Sequence, residues 1–135
     1  VIISLKRNVI LIIRKSIMDI GRKTPIKAVG YFDRCTDGNV QLHKRMYRIQ
    51  CHENGLSVNG YFVQVFTLPY TLIKSIDHLT RNEVGAWQQW ERQYYLRITY
   101  LKQSTGRHEV LVFKCTRPFQ AIYDYWVRAV VPWKQ

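Results

Sequence analysis

The sequence contains few acidic residues. Nine Asp and Glu stand against twenty-one Lys and Arg in 135 residues, so the formal net charge is +12 at pH 7. The excess is uneven, because residues 1–48 hold eleven basic and three acidic side chains, a net charge of +8. This size and asymmetry predict an anionic partner, which would be a nucleic acid, a lipid surface or an acidic protein. A surface that only keeps the protein soluble is the alternative.

Cysteines are also scarce. Cys35, Cys51 and Cys115 are an odd number without a CxxC pair, which argues against a disulfide framework and favours a reducing compartment. We therefore expect a cytoplasmic protein. Cys51 and His52 are adjacent, but neighbouring side chains of a strand point to opposite faces and do not chelate one metal ion well. We predict no metal and no cofactor, and interpret the cysteines as small buried apolar residues.

Catalytic motifs are missing. The sequence has no phosphate-binding glycine loop, no GxSxG and no HExxH. Asp77, Glu83 and Glu91 fall in a stretch without clear periodicity, and we interpret them as solvated loop charges rather than an acid/base pair. His78 and His108 adjoin predicted turns and are interpreted as solvated. We therefore predict that the chain is not an enzyme.

Long apolar runs are missing as well. The longest, residues 9–13, is far too short to cross a membrane, and nothing resembles a cleavable signal peptide. Since the sequence opens on Val1 rather than on Met, we expect a trimmed or partial chain.

Residues 1–20 show the pattern of an amphipathic helix. An apolar stripe of Ile, Leu and Val lies opposite a basic face, although a strand over 9–13 competes because Ile and Val favour strands. A basic amphipathic helix can lie in a membrane interface or pack on a partner, and covering the domain's own core is the alternative. We predict a helix and connector over 1–27, followed by one domain over 28–135.

The best-specified element is a helix predicted over 116–131. Its apolar residues recur at steps of three and four, with Trp126 in the middle of the stripe. Thr116 is the expected N-cap and Pro132 the expected stop. We predict that Trp126 is buried against a β-rich body, with Asp124 on the opposite face.

Closely spaced turns predict an antiparallel meander upstream of this helix. Turn sequences occur at residues 37–38, 54–55 and 59–60, and parallel strands would need longer crossovers than this spacing allows. The predicted strands cover residues 28–35, 40–51, 56–58, 61–66, 70–76, 94–101 and 108–115. Residues 77–92 are the least readable stretch. Gly85 and the polar residues suggest a loop, while Trp87 and Trp90 could belong to a helical turn or to the start of a strand.

This order of elements resembles a pleckstrin-homology-like (PH-like) domain, particularly of the bacterial PH-like and GRAM-like groups. Residues 47–77, YRIQCHENGLSVNGYFVQVFTLPYTLIKSID, resemble the family's strand, turn and strand, and the resemblance extends over about residues 28–131. It implies a mainly β (α+β) fold, an antiparallel barrel of about seven strands capped by one C-terminal amphipathic helix. The basic N-terminal helix would be an addition. A half-barrel that places its helices first is the alternative, but this chain ends on its strongest helix.

The resemblance implies a binding module, and charges and rings suggest its contacts. In some PH domains, Lys and Arg at alternating positions around the first hairpin hold phosphoinositides. Arg34, Lys44, Arg45 and Arg48 only loosely match this signature, so headgroup binding is not transferred to them. The residues predicted to contact an anionic partner are Lys6, Arg7, Arg14, Lys15, Arg22, Lys23, Lys44, Arg45 and Arg48. The aromatics predicted to contact a partner are Trp87, Trp90 and Trp133, because exposed Trp dominates binding hot spots.

The predicted function is therefore a non-catalytic adaptor or scaffold module. It would associate with an anionic surface at the inner face of a membrane, or with other subunits of a larger assembly. The alternative is a nucleic-acid-binding basic protein, such as a ribonucleoprotein subunit or a single-strand binder, since cations and rings occur together. No small-molecule substrate is predicted.

Overall fold

The computed structural model of the protein describes residues 26–61 and 64–134. The predicted N-terminal helix therefore lies outside the described residues, as do the six predicted contacts Lys6, Arg7, Arg14, Lys15, Arg22 and Lys23. Seven antiparallel strands form one sheet in the order β4-β3-β2-β1-β7-β6-β5. They are β1 (Ile26–Cys35), β2 (Met46–Cys51), β3 (Gly55–Asn59), β4 (Gln64–Pro69), β5 (Ile73–Val84), β6 (Trp90–Lys102) and β7 (Arg107–Cys115).

The chain closes with a helical segment. It consists of α1 (Gln120–Tyr125), a π-helical turn (Trp126–Val130) and a 3-10 turn (Val131–Trp133). The prediction of a mainly β fold, with seven antiparallel strands and one C-terminal helix, is confirmed.

The long strand β1 makes the sheet curl. Its first half pairs with β2, from Ile26 to Tyr31, and its second half pairs with β7, from Tyr31 to Cys35. The register with β7 shifts between Phe32 and Arg34, and such bulges increase the local twist. The edge strands β4 and β5 are joined by only three residues, Tyr70–Leu72, so the two edges of the sheet meet at that corner.

The helical segment covers the inner face of the curled sheet. Phe119, Ile122, Trp126 and Val130 are buried in one cluster with inward-facing side chains of the strands. Trp126 is 5% exposed, which confirms its predicted burial. Gly30 of β1 lets the helix approach closely, because a Cβ atom there would lie 2.9 Å from both Phe113 Cβ and Phe119 Cε1.

Two predictions about the ends of the helix were wrong. The N-cap of α1 is Phe119 and not Thr116, and no described side chain caps it. The backbone N–H of Phe119 instead donates to Nε2 of His78. His78 was expected to be solvated, but it packs against the ring of Phe119 where the helical segment meets β5. At the other end, Pro132 lies within the closing 3-10 turn, where its missing N–H costs nothing. The π-helical turn shifts the apolar face, so Val127 is 42% exposed.

Several predicted strand boundaries were also wrong. Residues 77–92 are mostly strand rather than the suggested loop, since β5 continues to Val84. The alternatives for the two Trp residues hold, because Trp87 lies in a 3-10 turn (Ala86–Gln88) and Trp90 is the first residue of β6. Conversely, β2 begins only at Met46, so the predicted strand over 40–51 was too long. Strand β4 continues to Pro69, three residues beyond the predicted end at 66, and residues 70–72 form a 3-10 turn before β5.

A buried carboxylate anchors the long connection between β1 and β2 to the sheet through hydrogen bonds. Asp37 is 6% exposed and accepts from Tyr100 Oη at 2.7 Å, Lys102 Nζ at 2.8 Å and the backbone N–H of Asn39 at 3.0 Å. The hydrogen bond from Lys102 lowers the pKa of Asp37, which therefore remains ionised. The predicted turn is present, because the N–H of Val40 donates to the carbonyl of Asp37 at 3.1 Å.

Candidate functional site

The β5–β6 hairpin projects beyond the rest of the sheet. Strand β6 pairs with β7 only as far as Tyr94, whereas it pairs with β5 as far as Trp90. Residues 81–93 therefore form a two-stranded extension. Its four residue pairs correspond to a length of about 13 Å. An extension of this kind has no core of its own and presents both faces to its surroundings.

The stem of this hairpin is held by pairs across its two strands. Tyr95 Oη donates to Glu83 Oε1, and the Arg81 guanidinium lies 5.6 Å from the centre of the Tyr95 ring. Burial, and then the hydrogen bond to Glu83, raise the pKa of Tyr95 to about 12, so its hydroxyl remains a donor at neutral pH. Where the chain turns, the N–H of Gly85 donates to the carbonyl of Gln89 at 2.7 Å.

The end of the hairpin exposes three apolar side chains. Trp87 is 93% exposed, Trp90 is 73% exposed and Val84 is 54% exposed. We call residues 84–90 the hairpin tip. Trp87 has a φ of 64° and Gln88 a φ of 58°, in the left-handed region that L-residues rarely adopt. Indoles this exposed bury little surface within the domain, and backbone outliers of this type cluster at functional sites.

The hairpin tip is uncharged, while the body that carries it is basic. Residues 84–90, VGAWQQW, contain no ionisable side chain. The stem carries Arg81 and Arg92 together with Glu83 and Glu91, so its charges balance. Over residues 26–134, fifteen basic and eight acidic side chains leave a net charge of +7. The protein therefore combines an uncharged, aromatic hairpin tip with a positively charged domain.

The described basic residues predicted from the sequence do not lie at the tip. Lys44 Nζ lies 5.1 Å from the centre of the Phe32 ring and donates to the backbone carbonyl of Asp33. The Arg45 guanidinium lies 5.1 Å from the centre of the Tyr47 ring. Arg48 lies on β2, which is separated from the β5–β6 hairpin by β1 and β7.

The three predicted aromatic contacts are only partly brought together. Trp87 and Trp90 share the hairpin tip, whereas Trp133 is half-buried in the turn that closes the helical segment. Val84 was missed by the sequence analysis, although it faces Trp90 across the hairpin. The sequence did contain a signal for it, because Val84 is a β-branched residue directly before Gly85, and such a residue next to a turn residue is typical of the end of a strand.

The side chains with nucleophilic or metal-binding chemistry are occupied elsewhere. In the described part of the chain, no group of three or more His, Cys, Asp and Glu side chains could hold a metal ion. Cys51 is buried, and burial raises the pKa of its thiol to about 12, so the reactive thiolate is not formed at neutral pH. His52 pairs through Nε2 with Ser57 Oγ at 2.7 Å. Asp77 forms an ion pair with Arg97 at 3.1 Å instead of being simply solvated.

Among the pockets that described residues line, two lie on the outer face of the sheet. One is a polar cleft of about 200 Å³, whose lining includes Arg34, Arg81 and Arg97 together with Asp33 and Glu83. The other is an open groove of about 490 Å³, which we call the β1–β3 groove. It is lined by Val29, Met46, Tyr47, Arg48, Asn59, Gly60 and Tyr61.

Comparison of the sequence with protein-family models and with curated proteins finds no match. Within residues 26–61 and 64–134, none of the helices has both the length and the apolar character needed to cross a bilayer. The functional inference therefore depends on the geometry of the chain itself.

Proposed function

We propose that this protein is a non-catalytic binding module of the PH-like kind that attaches peripherally to an anionic membrane surface. The hairpin tip, with Val84, Trp87 and Trp90, enters the membrane interface. The observation that carries this proposal is the exposure of Trp87 and Trp90 on an uncharged tip that extends beyond the sheet.

The chemistry of the tip suits the boundary between lipid headgroups and acyl chains. An indole has a large apolar ring and one N–H donor, and Trp is accordingly enriched at membrane interfaces. The absence of charge from residues 84–90 matters because no ion has to leave water when the tip enters the interface. The hairpin also places the tip away from the domain, so the body of the protein does not block its approach.

Electrostatic attraction brings the domain to the surface. Anionic leaflets attract basic segments by about 1 kcal/mol for each Lys or Arg close to the surface. Arg92 follows Trp90 by two residues and would lie at headgroup depth, but Glu91 and Glu83 offset it locally. The attraction therefore comes mainly from the excess charge of the whole chain, and it should weaken as salt screens it.

The fold gives further support to the PH-like part of the proposal. A curled sheet of seven antiparallel strands, whose inner face is covered by one C-terminal helix, is the arrangement that the resemblance implies. The contact proposed here lies on the β5–β6 hairpin and not on the first hairpin, where the family's basic signature was sought. It is therefore argued from this chain's own residues.

Nucleic-acid binding receives less support from the same site. Single-strand binders combine stacking rings with cations that follow the phosphate backbone. The hairpin tip has the rings but no cation, and the cations of its stem are matched by carboxylates. Docking of the tip into a partner protein would use the same two Trp side chains and is an outcome of the test below.

Co-sedimentation of the full chain with vesicles tests the proposal. Vesicles of phosphatidylcholine alone are compared with vesicles that contain phosphatidylglycerol, for the wild type and for the double variant W87A/W90A. The control is Tyr61→Ala, which removes an 84% exposed ring away from the hairpin. We expect preferential binding to the anionic vesicles, a decrease of about tenfold or more in the double variant, and little change in the control.

Two results would contradict the proposal. Equal binding of the wild type and W87A/W90A to anionic vesicles would show that the hairpin tip is not the contact. If the wild type bound neither type of vesicle, the membrane would be excluded as the partner. The hairpin tip would then be assigned to a contact with another protein.

A further inference from the structure

The β1–β3 groove is a second feature that the hairpin does not explain. Three cross-strand neighbours, Val29, Arg48 and Asn59, form its floor in a row over β1, β2 and β3. Met46 lies two residues before Arg48 and so faces the same side of β2. Tyr61, just after β3, forms a wall. The volume of about 490 Å³ falls in the range of small-molecule sites.

The groove presents exposed apolar surface. Val29 is 48% exposed, Met46 is 49% exposed and Tyr61 is 84% exposed. The next row on this face, Lys27, Gln50 and Ser57, is polar. Apolar side chains gathered in one concave place mark a surface that binds something apolar.

One cation accompanies this apolar surface. Arg48 is the single charged residue among the seven that line the groove, and it is exposed. None of the ion pairs found among the described residues involves Arg48. The side-chain amide nitrogen of Asn59 donates to Gln50 Oε1 at 3.2 Å and to Ser57 Oγ at 2.9 Å, so Arg48 is the main donor that the groove offers to a ligand. The groove therefore has a single positive end and no negative one.

We propose that the β1–β3 groove binds an aliphatic carboxylate. Its hydrocarbon tail lies against Val29, Met46 and the ring of Tyr61, and its carboxylate meets the guanidinium of Arg48. The planar fork of Arg matches a carboxylate with two parallel hydrogen bonds. A bare inorganic anion would gain one exposed cation and leave the apolar walls in water, and an amine would be repelled by Arg48.

This site goes beyond the membrane attachment proposed above and is independent of it. In the sheet, β1 and β7 separate β2 from the β5–β6 hairpin. No residue of the hairpin tip lines the groove. A failure of one proposal therefore leaves the other intact.

The test is a titration of the isotope-labelled full chain with three ten-carbon probes, each below its critical micelle concentration. Binding is measured from the changes in amide chemical shift. Decanoate, decyltrimethylammonium and decanol share a tail and differ in charge. We expect saturable shifts at Val29, Met46 and Arg48 with decanoate, and apparent affinities about threefold to fivefold lower for decanol. The ammonium probe should bind more weakly still. W87A/W90A should give the same decanoate response as the wild type.

Charge reversal provides the matched comparison. Arg48→Glu should abolish the preference for decanoate and favour decyltrimethylammonium, and Met46→Gln should weaken the binding of every probe. Arg34→Glu makes the same change of charge at an exposed position of β1 outside the groove, and should leave the order of probes unchanged. Circular dichroism confirms that each variant is folded.

Three results would overturn the proposal. They are an equal response to all three probes, shifts that map away from the groove or are absent, and an Arg34→Glu variant that behaves like Arg48→Glu. The first would reduce the groove to an unselective apolar surface. The third would show that only the net charge of the chain matters.

Discussion

The backbone N–H of Phe119 donates a hydrogen bond to Nε2 of His78 over 3.1 Å. This bond joins the start of the helical segment to β5, the strand that continues into the projecting hairpin. The imidazole also stacks on Tyr94 with ring centres 5.7 Å apart and lies 6.0 Å from the ring of Tyr123. An acceptor at Nε2 requires the neutral imidazole, because both nitrogens of the protonated ring are donors.

Acid should therefore weaken the docking of the helix. Burial lowers the pKa of His78 below its ordinary value of 6.5, and the opposing effect of Asp124 does not outweigh it. Because the folded state disfavours the proton, the contribution of His78 to stability is complete above pH 6.5. It is lost as the pH falls through the lower pKa of the folded state. Chemical denaturation between pH 7 and pH 5 should show this loss.

The variant His78→Gln should flatten this part of the pH profile, because glutamine offers an acceptor but does not titrate. His108→Gln is the matched control, since His108 is exposed on β7. A wild-type profile that survives unchanged in His78→Gln would assign the pH dependence to other groups.

Gly30 should tolerate no side chain. Gly30→Ala would place a Cβ atom 2.9 Å from Phe113 on the sheet and 2.9 Å from Phe119 at the start of the helix. We expect a loss of about 1–3 kcal/mol in the free energy of unfolding, as is typical for overpacking a core. Gly38→Ala is the control, because no atom lies within 4 Å of a Cβ there. Equal effects of the two variants in urea denaturation would mean that the helix does not approach β1 so closely.

Trp126 should contribute more to stability than any residue on the outer side of the helix. Trp126→Ala would empty a buried site and is expected to cost about 3–5 kcal/mol. Asp124→Ala removes a partly exposed acceptor for Gln120 and should change stability by no more than about 0.5 kcal/mol. Similar small losses in both variants, measured by denaturation, would contradict the described docking.

The fold could be predicted where one face of an element is buried. The helix around Trp126 and the strand over 94–101 alternate apolar and polar residues with the periods of a helix and a strand, because each packs on the core. Residues 81–93 could not be recognised, since the hairpin stem has polar side chains on both faces and no core imposes a period on it. Its strands are specified by pairs such as Tyr95 with Glu83, which are distant in sequence.

The candidate site was predicted in part for a similar reason. Trp87 and Trp90 were identified as contact residues from their type, and the structure shows them exposed together. Their projection on a hairpin depends on where β7 stops pairing with β6, which no local pattern reveals. Thr116 was expected to cap the helix because its residue type is suitable, yet the N-cap is Phe119, whose N–H donates to His78, forty-one positions earlier in the sequence.

The most direct test of the membrane interface is the quenching of tryptophan fluorescence by brominated lipids. Of the four Trp residues, Trp87 and Trp90 lie on the tip, whereas Trp126 is buried and Trp133 is half-buried on the helical segment. On anionic vesicles with bromine in the upper acyl chain, the wild type should be quenched with a blue-shifted emission. The W87A/W90A variant should keep the unquenched emission of Trp126 and Trp133. Vesicle-bound wild type that shows no quenching, or equal quenching in both proteins, would contradict insertion of the hairpin tip.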